Sequence, residues 1–326
     1  MSAPPKSRKR KRSTHDNPVD LTKMQLARQR LSELQEELRG IEETEVEMAE
    51  IMEHVDALQG ILGSTKKLKL SCSSVSRSQL TDMGLKRILF VLNDVALDAR
   101  IAASSIDSKH IDALCLQLTR IHRSTSKRIE AGARMILDAV LLTVADISFD
   151  AKEKLHVAIF PQMRIASGDG VLVKNTVNQS EVWLTGNVDY GVFTCKNEAN
   201  CARILESSLD DLMMYAGNRI MLVEAKRDKE MLIDGLPEAT SLAIALSEVT
   251  GDNAVRYCLT DGTKWMFLTY TRDAEGNRIS YEGPLLTIVQ PPVGEGFKKD
   301  VRRLVELLCH WLRAGSDIKN DPLCTV

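Results

Sequence analysis

No Cys-x-x-Cys pair, no apolar run of membrane-spanning length and few aromatic side chains occur in this sequence of 326 residues. Each absence removes a class of protein. The seven cysteines (72, 115, 195, 201, 258, 309 and 324) are odd in number and scattered, which argues against a disulfide framework or a zinc site. Reduced thiols inside a cell are the expectation. A membrane helix needs roughly 20 consecutive apolar residues, and no run approaches that, so no membrane partner is expected. The N-terminal MSAPPKSRKRKR lacks the apolar centre of a secretory signal. Aromatics make up 4%, which suits a helix-rich chain with one modest sheet better than a β-sandwich. Neither a Walker loop nor a Gly-x-Ser-x-Gly elbow is present, so P-loop nucleotide hydrolases and serine hydrolases leave the field.

What remains is a chain with 44% apolar residues, enough for a sizeable core, and a net charge of −2 that hides an asymmetry. Residues 1–12 carry six bases (Lys6, Arg8, Lys9, Arg10, Lys11 and Arg12) and no acid. Setting these six aside from the 43 leaves 37 bases against 45 acids, a balance of −8. The remainder does not draw polyanions through its overall field, so any nucleic-acid binding must use a local patch. The basic block fits a nuclear-import signal, and a solubilising tail is the plainer alternative.

Residues 1–20 have no hydrophobic period and are expected to be a disordered basic tail. Residues 21–64 follow a heptad seam: Met24, Ala27, Leu31, Leu34, Leu38, Ile41, Glu45, Met48, Met52, Val55, Gln59 and Leu62. Ten of these twelve are apolar, which predicts a coiled coil and a homo-oligomer through residues 21–64. One long helix folded back on its own domain is the alternative. Residues 65–79, with the run SCSSVSRSQ, are expected to form a Ser-rich linker. A helical segment over 80–125 follows, with helices through LKRILFVLNDVALDARIAA and, opening at the cap Asp107, HIDALCLQLTRIH. It is either a small module or an extension of the next domain.

A main domain is expected over 126–315, with 316–326 as a tail. It begins with a helix through RIEAGARMILDAVLLTVAD. Strands are expected in LHVAIFPQMRI and VWLTGNVDYGVFTC, and RIMLVEAK reads as a strand buried on both faces. LPEATSLAIALSEV predicts a helix with Pro237 in its first turn. Two strands then join at Asp261-Gly262, and FKKDVRRLVELLCHWL closes the domain as an amphipathic helix. The fold class is α/β, a mixed sheet flanked by helices.

Glu224-Ala225-Lys226 places an acid and a lysine on one face of a strand, because side chains alternate with a period of two. Two carboxylates from adjacent strands can hold Mg²⁺ with a few waters, and a nearby cation can stabilise the charge that develops during phosphodiester hydrolysis. Asp189 in GNVDYGV is the candidate second carboxylate, and the backbone carbonyl of Ala225 a further ligand. Acid-x-Lys alone carries little, since Asp107/Lys109, Asp150/Lys152 and Asp317/Lys319 share it. Only Glu224/Lys226 ends an apolar strand. A solvated ion pair at a strand end is the alternative reading.

The series GNVDYGV, IMLVEAKR, LPEATSLAIAL and VRYCLTDGTKWMFL resembles the PD-(D/E)xK nuclease superfamily, and within it the restriction-endonuclease-like domains of many fungal proteins. The resemblance covers residues 126–290, about half the chain. It implies a restriction-endonuclease-like sheet, an Mg²⁺ (or Mn²⁺) ion on Asp189 and Glu224, and Lys226 steering the water or stabilising the transition state. It also points to Glu238, where such domains often carry Gln, and to Glu130 on the first core helix. The function expected is metal-dependent cleavage of nucleic acid, DNA first, in the nucleus. The alternative is a non-catalytic nuclear interaction or effector protein that keeps the fold and assembles through its coiled coil.

Overall fold

In the computed structural model the chain divides into two units, Met1–Lys67 and Leu68–Val326. The structure describes residues 29–32, 55 and 69–326, except 127–129, 152–153, 166–169, 175–180, 196, 209–211, 213–219, 227–228, 289–293 and 314–316. In the first unit residues 29–32 and Val55 are helical, and the seam residues Leu31 and Val55 are both buried. The rest of the seam, and all six bases of the tail, lie outside the described residues.

The second unit is mixed α/β, a large mixed sheet flanked by helices, as expected. Its first strands are β1 (Lys69–Ser71), β2 (Leu85–Leu89), β3 (Val91–Leu92) and β4 (His156–Arg164). Next come β5 (Val171–Lys174), β6 (Glu181–Thr185), β7 (Asn187–Cys195) and β8 (Ile220–Ala225). The last are β9 (Ala254–Thr260), β10 (Lys264–Arg272), β11 (Arg278–Thr287) and β12 (Cys324–Thr325). The helices are α1 (Arg77–Asp82), α2 (Asp94–Ala103), α3 (Ser108–Ser124) and α4 (Glu130–Asp150). They are followed by α5 (Glu198–Glu206), α6 (Lys229–Thr250) and α7 (Gly294–Arg313).

Seven strands form the central sheet in the order β2-β11-β10-β9-β8-β7-β4. Strand β8 is antiparallel to β7 and parallel to β9, so a crossover must link β8 to β9, and α6 is that crossover. Alternation along β8 divides the core. Met221, Val223 and Ala225 pack with α2, α3, α4 and α7, whereas Leu222 packs with α6 and the small sheet β1-β6-β5. Burial on both faces explains the unbroken apolar run before Glu224. The Asp261-Gly262 turn also forms: Gly262 takes φ +87°, and Asp261 Oδ1 accepts the N–H groups of Thr263 and Lys264.

Four expectations need correction. The helix placed through 85–103 is two strands and then α2, because Asn93 caps α2 and Gly84, at φ +81°, ends the turn before β2. The 80–125 segment therefore belongs to the central sheet: β2 pairs with β11, and Arg87 Nε donates to Glu282 at 2.5 Å. The Ser-rich linker is structured from Lys69. Strand β1 pairs with β6, Ser76 and Gln79 form a capping box on α1, and Cys72 is buried, so its serines are turn and cap residues. The 316–326 tail carries β12, paired with β3, and its buried Asp321 accepts from Arg256 at 3.0 Å. Pro237 stands inside α6 rather than in its first turn, because Lys, Glu, Met and Leu upstream start the helix at Lys229.

Candidate active site

The expected site residues converge where β7 and β8 meet the start of α6. The antiparallel register pairs Tyr190 with Val223, and one step further Asp189 stands opposite Glu224. Strands β7 and β8 pair directly although α5 lies between them in the chain. Each carboxylate reaches the other strand's backbone. The Ala225 N–H donates to Asp189 Oδ2 at 2.7 Å, and the Asp189 N–H lies 3.4 Å from Glu224 Oε2. Ala225 thus enters the site through its N–H group, a role beside the carbonyl to which the sequence pointed.

Lys226 follows Glu224 on the same side of the chain, as the two-residue period requires. Its Nζ donates to Glu224 Oε1 at 3.0 Å and to Glu238 Oε2 from α6. Gly235 makes room for this arm: a Cβ there would sit 2.7 Å from Lys226 Cε. Glu238, expected from the resemblance, therefore belongs to the cluster through Lys226. Glu130 opens α4, and its side chain lies outside the described residues.

Two contacts were not foreseen. Arg134, one turn beyond Glu130 on α4, donates through Nη2 to Asp189 Oδ1. In a helix an isolated Arg reads as a solvated face, and only the three-dimensional position of Asp189 singles it out. Asp138 is four residues further on the same helix face and accepts from the Tyr190 hydroxyl at 2.8 Å. Cys72 is the second. It is 1% exposed, hydrogen-bonded to Ser241 and within reach of the charges of Glu224 and Glu238. Burial first, and then those charges, push its thiol up to about 11, so it stays protonated.

The electrostatics are unbalanced. If all were ionised, three carboxylates (Asp189, Glu224 and Glu238) would face two cations (Arg134 and Lys226) in this network. Asp189 and Glu224 are 7% and 5% exposed, so water does little to screen them. Burial, followed by repulsion from Asp189, raises the Glu224 carboxyl to about 8. Burial works against the Lys226 ammonium, but Glu224 and Glu238 outweigh it and lift the group above the ordinary lysine range. Lys226 is therefore a fixed positive charge and not a base at neutral pH.

The donor set suits a hard divalent cation: two facing carboxyl groups, all-oxygen, whose full ionisation would exceed the positive charge around them. Among the described residues no three His, Cys, Asp or Glu side chains form a ready-made cage. Mg²⁺ commonly sits on one or two carboxylates and keeps its waters, which this pair can accommodate.

The other acid-x-Lys pairs do different work. Asp107 and Asp317 cap helical turns by accepting the N–H of Lys109 and Lys319. Asp150 meets His110 at 3.0 Å. Trp265 is wholly buried in the sheet. All seven cysteines are free. Among the described residues no helix is long and apolar enough to cross a membrane. No protein-family model matches the chain, and no curated protein matches it.

Proposed function

We propose that this protein is a metal-dependent nuclease of the PD-(D/E)xK, restriction-endonuclease-like kind, cleaving phosphodiester bonds of nucleic acid, DNA first. One observation carries the reading: Asp189 and Glu224 stand opposed on paired strands, short of positive charge, with the Lys226 ammonium 3.0 Å from Glu224. The element order of helix, strands, helix, strands, helix supports it. Asp189 and Glu224 would hold Mg²⁺ or Mn²⁺, which supplies Lewis-acid polarisation of a phosphoryl oxygen when bound. The Ala225 N–H fixes Asp189, and Glu238 and Gly235 fix the lysine arm. Lys226 then offers its charge to the oxygens that become more negative as water attacks phosphorus and the ester P–O bond breaks. The test is a panel of single- and double-stranded DNA and RNA incubated with Mg²⁺, Mn²⁺ or EDTA. Cleavage confined to the metal lanes is expected, and intact substrate in every lane would sink the reading.

A second reading has one observation in its favour. All four oxygens of Asp189 and Glu224 already have a donor within the protein. A closed network of this kind suits a non-catalytic nuclear interaction or effector protein that keeps the fold. In either case we propose nuclear import through Lys6–Arg12 and self-association through residues 21–64. Cytoplasmic retention after replacing Lys9, Arg10, Lys11 and Arg12 by Ala, and an oligomeric mass by light scattering, are the expected results. An unshifted nuclear signal or a monomeric mass would remove the corresponding half.

A further inference from the structure

The donors on the two carboxylates differ in how readily they can leave. Two are backbone N–H groups of paired strands and cannot move without unzipping the sheet. Lys226 is 14% exposed, held by two glutamates and closed in by Gly235. Arg134 is different: its side chain is 29% exposed, it comes from a separate helix, and it reaches Asp189 at Oδ1. Asp189 Oδ2 is committed to the Ala225 N–H at 2.7 Å, so Oδ1 is the oxygen through which this carboxylate can accept a new cation.

A guanidinium and a divalent ion compete for that oxygen, because both positive charges within a few ångströms in a poorly screened site repel each other strongly. Without an ion, the guanidinium offsets part of the repulsion between Asp189 and Glu224 and so stabilises the fold. With an ion bound, the guanidinium is surplus charge. We infer that Arg134 is the displaceable counter-ion of Asp189, holding the carboxylate when no divalent cation is bound and giving way when one arrives. The inference rests on the metal-binding reading above and makes Arg134 a positioning residue that sets how much Mg²⁺ the site demands.

The signature is a pair of opposite effects that simple structural damage would not produce. In the full-length protein with EDTA, Arg134→Gln should melt at lower temperature than wild type. In Mg²⁺ titration calorimetry the same variant should bind the ion about tenfold more tightly or better, since removing one close unit charge is worth at least a decade of affinity in such a site. Arg134→Lys, which keeps the charge, should restore both values towards wild type and guards against a Gln variant that fails to fold. If wild type binds Mg²⁺ but Arg134→Gln binds it no more tightly, the counter-ion role is overturned and the metal site stands. An unchanged melting temperature in EDTA also overturns it. If wild type binds no Mg²⁺ that Asp189→Asn removes, the metal reading falls and takes the inference with it.

Discussion

Two buried charge clusters in the same domain behave in opposite ways. Beneath α7, Asp321 accepts Arg256 at 3.0 Å, His310 Nε2 at 2.8 Å and the Leu323 N–H at 3.0 Å, while the Arg256 guanidinium lies 4.5 Å from the Trp311 ring centre. Burial would raise this carboxyl, but the combined hydrogen bonds and charges of His310, Leu323 and Arg256 hold it down at about 2. One acid meets one guanidinium here, so no negative charge is left over. At the β7–β8 end, burial and a neighbouring acid instead hold Glu224 up at about 8. A fold gains nothing from surplus buried negative charge, so this cluster is the one that calls for a functional explanation.

The largest expected effect separates the two clusters by stability. Asp321→Ala strands the buried Arg256 and should destabilise the protein by about 3–5 kcal/mol, the usual cost of breaking a buried pair. Glu224→Gln removes repulsion and should leave stability in EDTA equal or higher; denaturant melts compare the two directly. A comparable loss from Glu224→Gln would erase the distinction.

Lys226→Ala addresses the chemistry. If the protein is the nuclease proposed, its ammonium would matter most when charge builds on phosphate, and kcat should fall on the order of 10²–10³-fold. Mg²⁺ affinity should change little by comparison. A rise in KM with kcat intact would assign Lys226 to substrate binding instead.

Stability against pH should carry both signatures. Glu224, raised in the folded state, contributes stability that is present below about pH 4.5 and lost as pH climbs towards about 8. Asp321, lowered in the folded state, contributes stability that is present above about pH 3.8 and lost as pH falls towards about 2. In EDTA, Glu224→Gln should flatten the alkaline limb alone, and Asp321→Asn the acid limb alone. Melts across the pH range read both, and identical curves for the two variants would refute the contrast.

Two smaller effects sharpen the picture of the lysine arm. Gly235→Ala pushes a methyl against Lys226 and should slow cleavage about tenfold, the kinetic equivalent of roughly 1.4 kcal/mol. Glu238→Gln keeps a hydrogen-bond acceptor for the Lys226 ammonium, so a change of roughly twofold is expected. Steady-state kinetics on both would rank them, and a reversed order would place Glu238 in the chemistry itself.

How much of this was legible depended on whether a residue's role is local. The VEAK strand could be read because burial on both faces writes a continuous apolar run, and the Asp261-Gly262 turn because only certain residues fit it. Asp189 could be paired with Glu224 once both strands were recognised. Arg134 could not, since its partner is 55 residues away and nothing in α4 distinguishes a buried contact from a solvated one. The β2 error has a similar origin: Leu85, Ile88, Leu89 and Leu92 repeat at helical spacing, and the cap at Asn93 was the signal that the helix begins later. Asp321 was missed because its partners Arg256 and His310 lie on other elements of the chain, and isolated apolar residues such as Ile318 and Leu323 form no period that marks a packed segment.

The account turns on whether the unbalanced cluster works through a divalent ion. The most direct measurement is Mg²⁺-dependent cleavage of the nucleic-acid panel by wild type, Asp189→Asn and Asp321→Asn, each normalised to folded protein. Wild type and Asp321→Asn should cut in Mg²⁺ and not in EDTA, while Asp189→Asn should cut nothing. No cleavage by wild type, or undiminished cleavage by Asp189→Asn, would contradict the account.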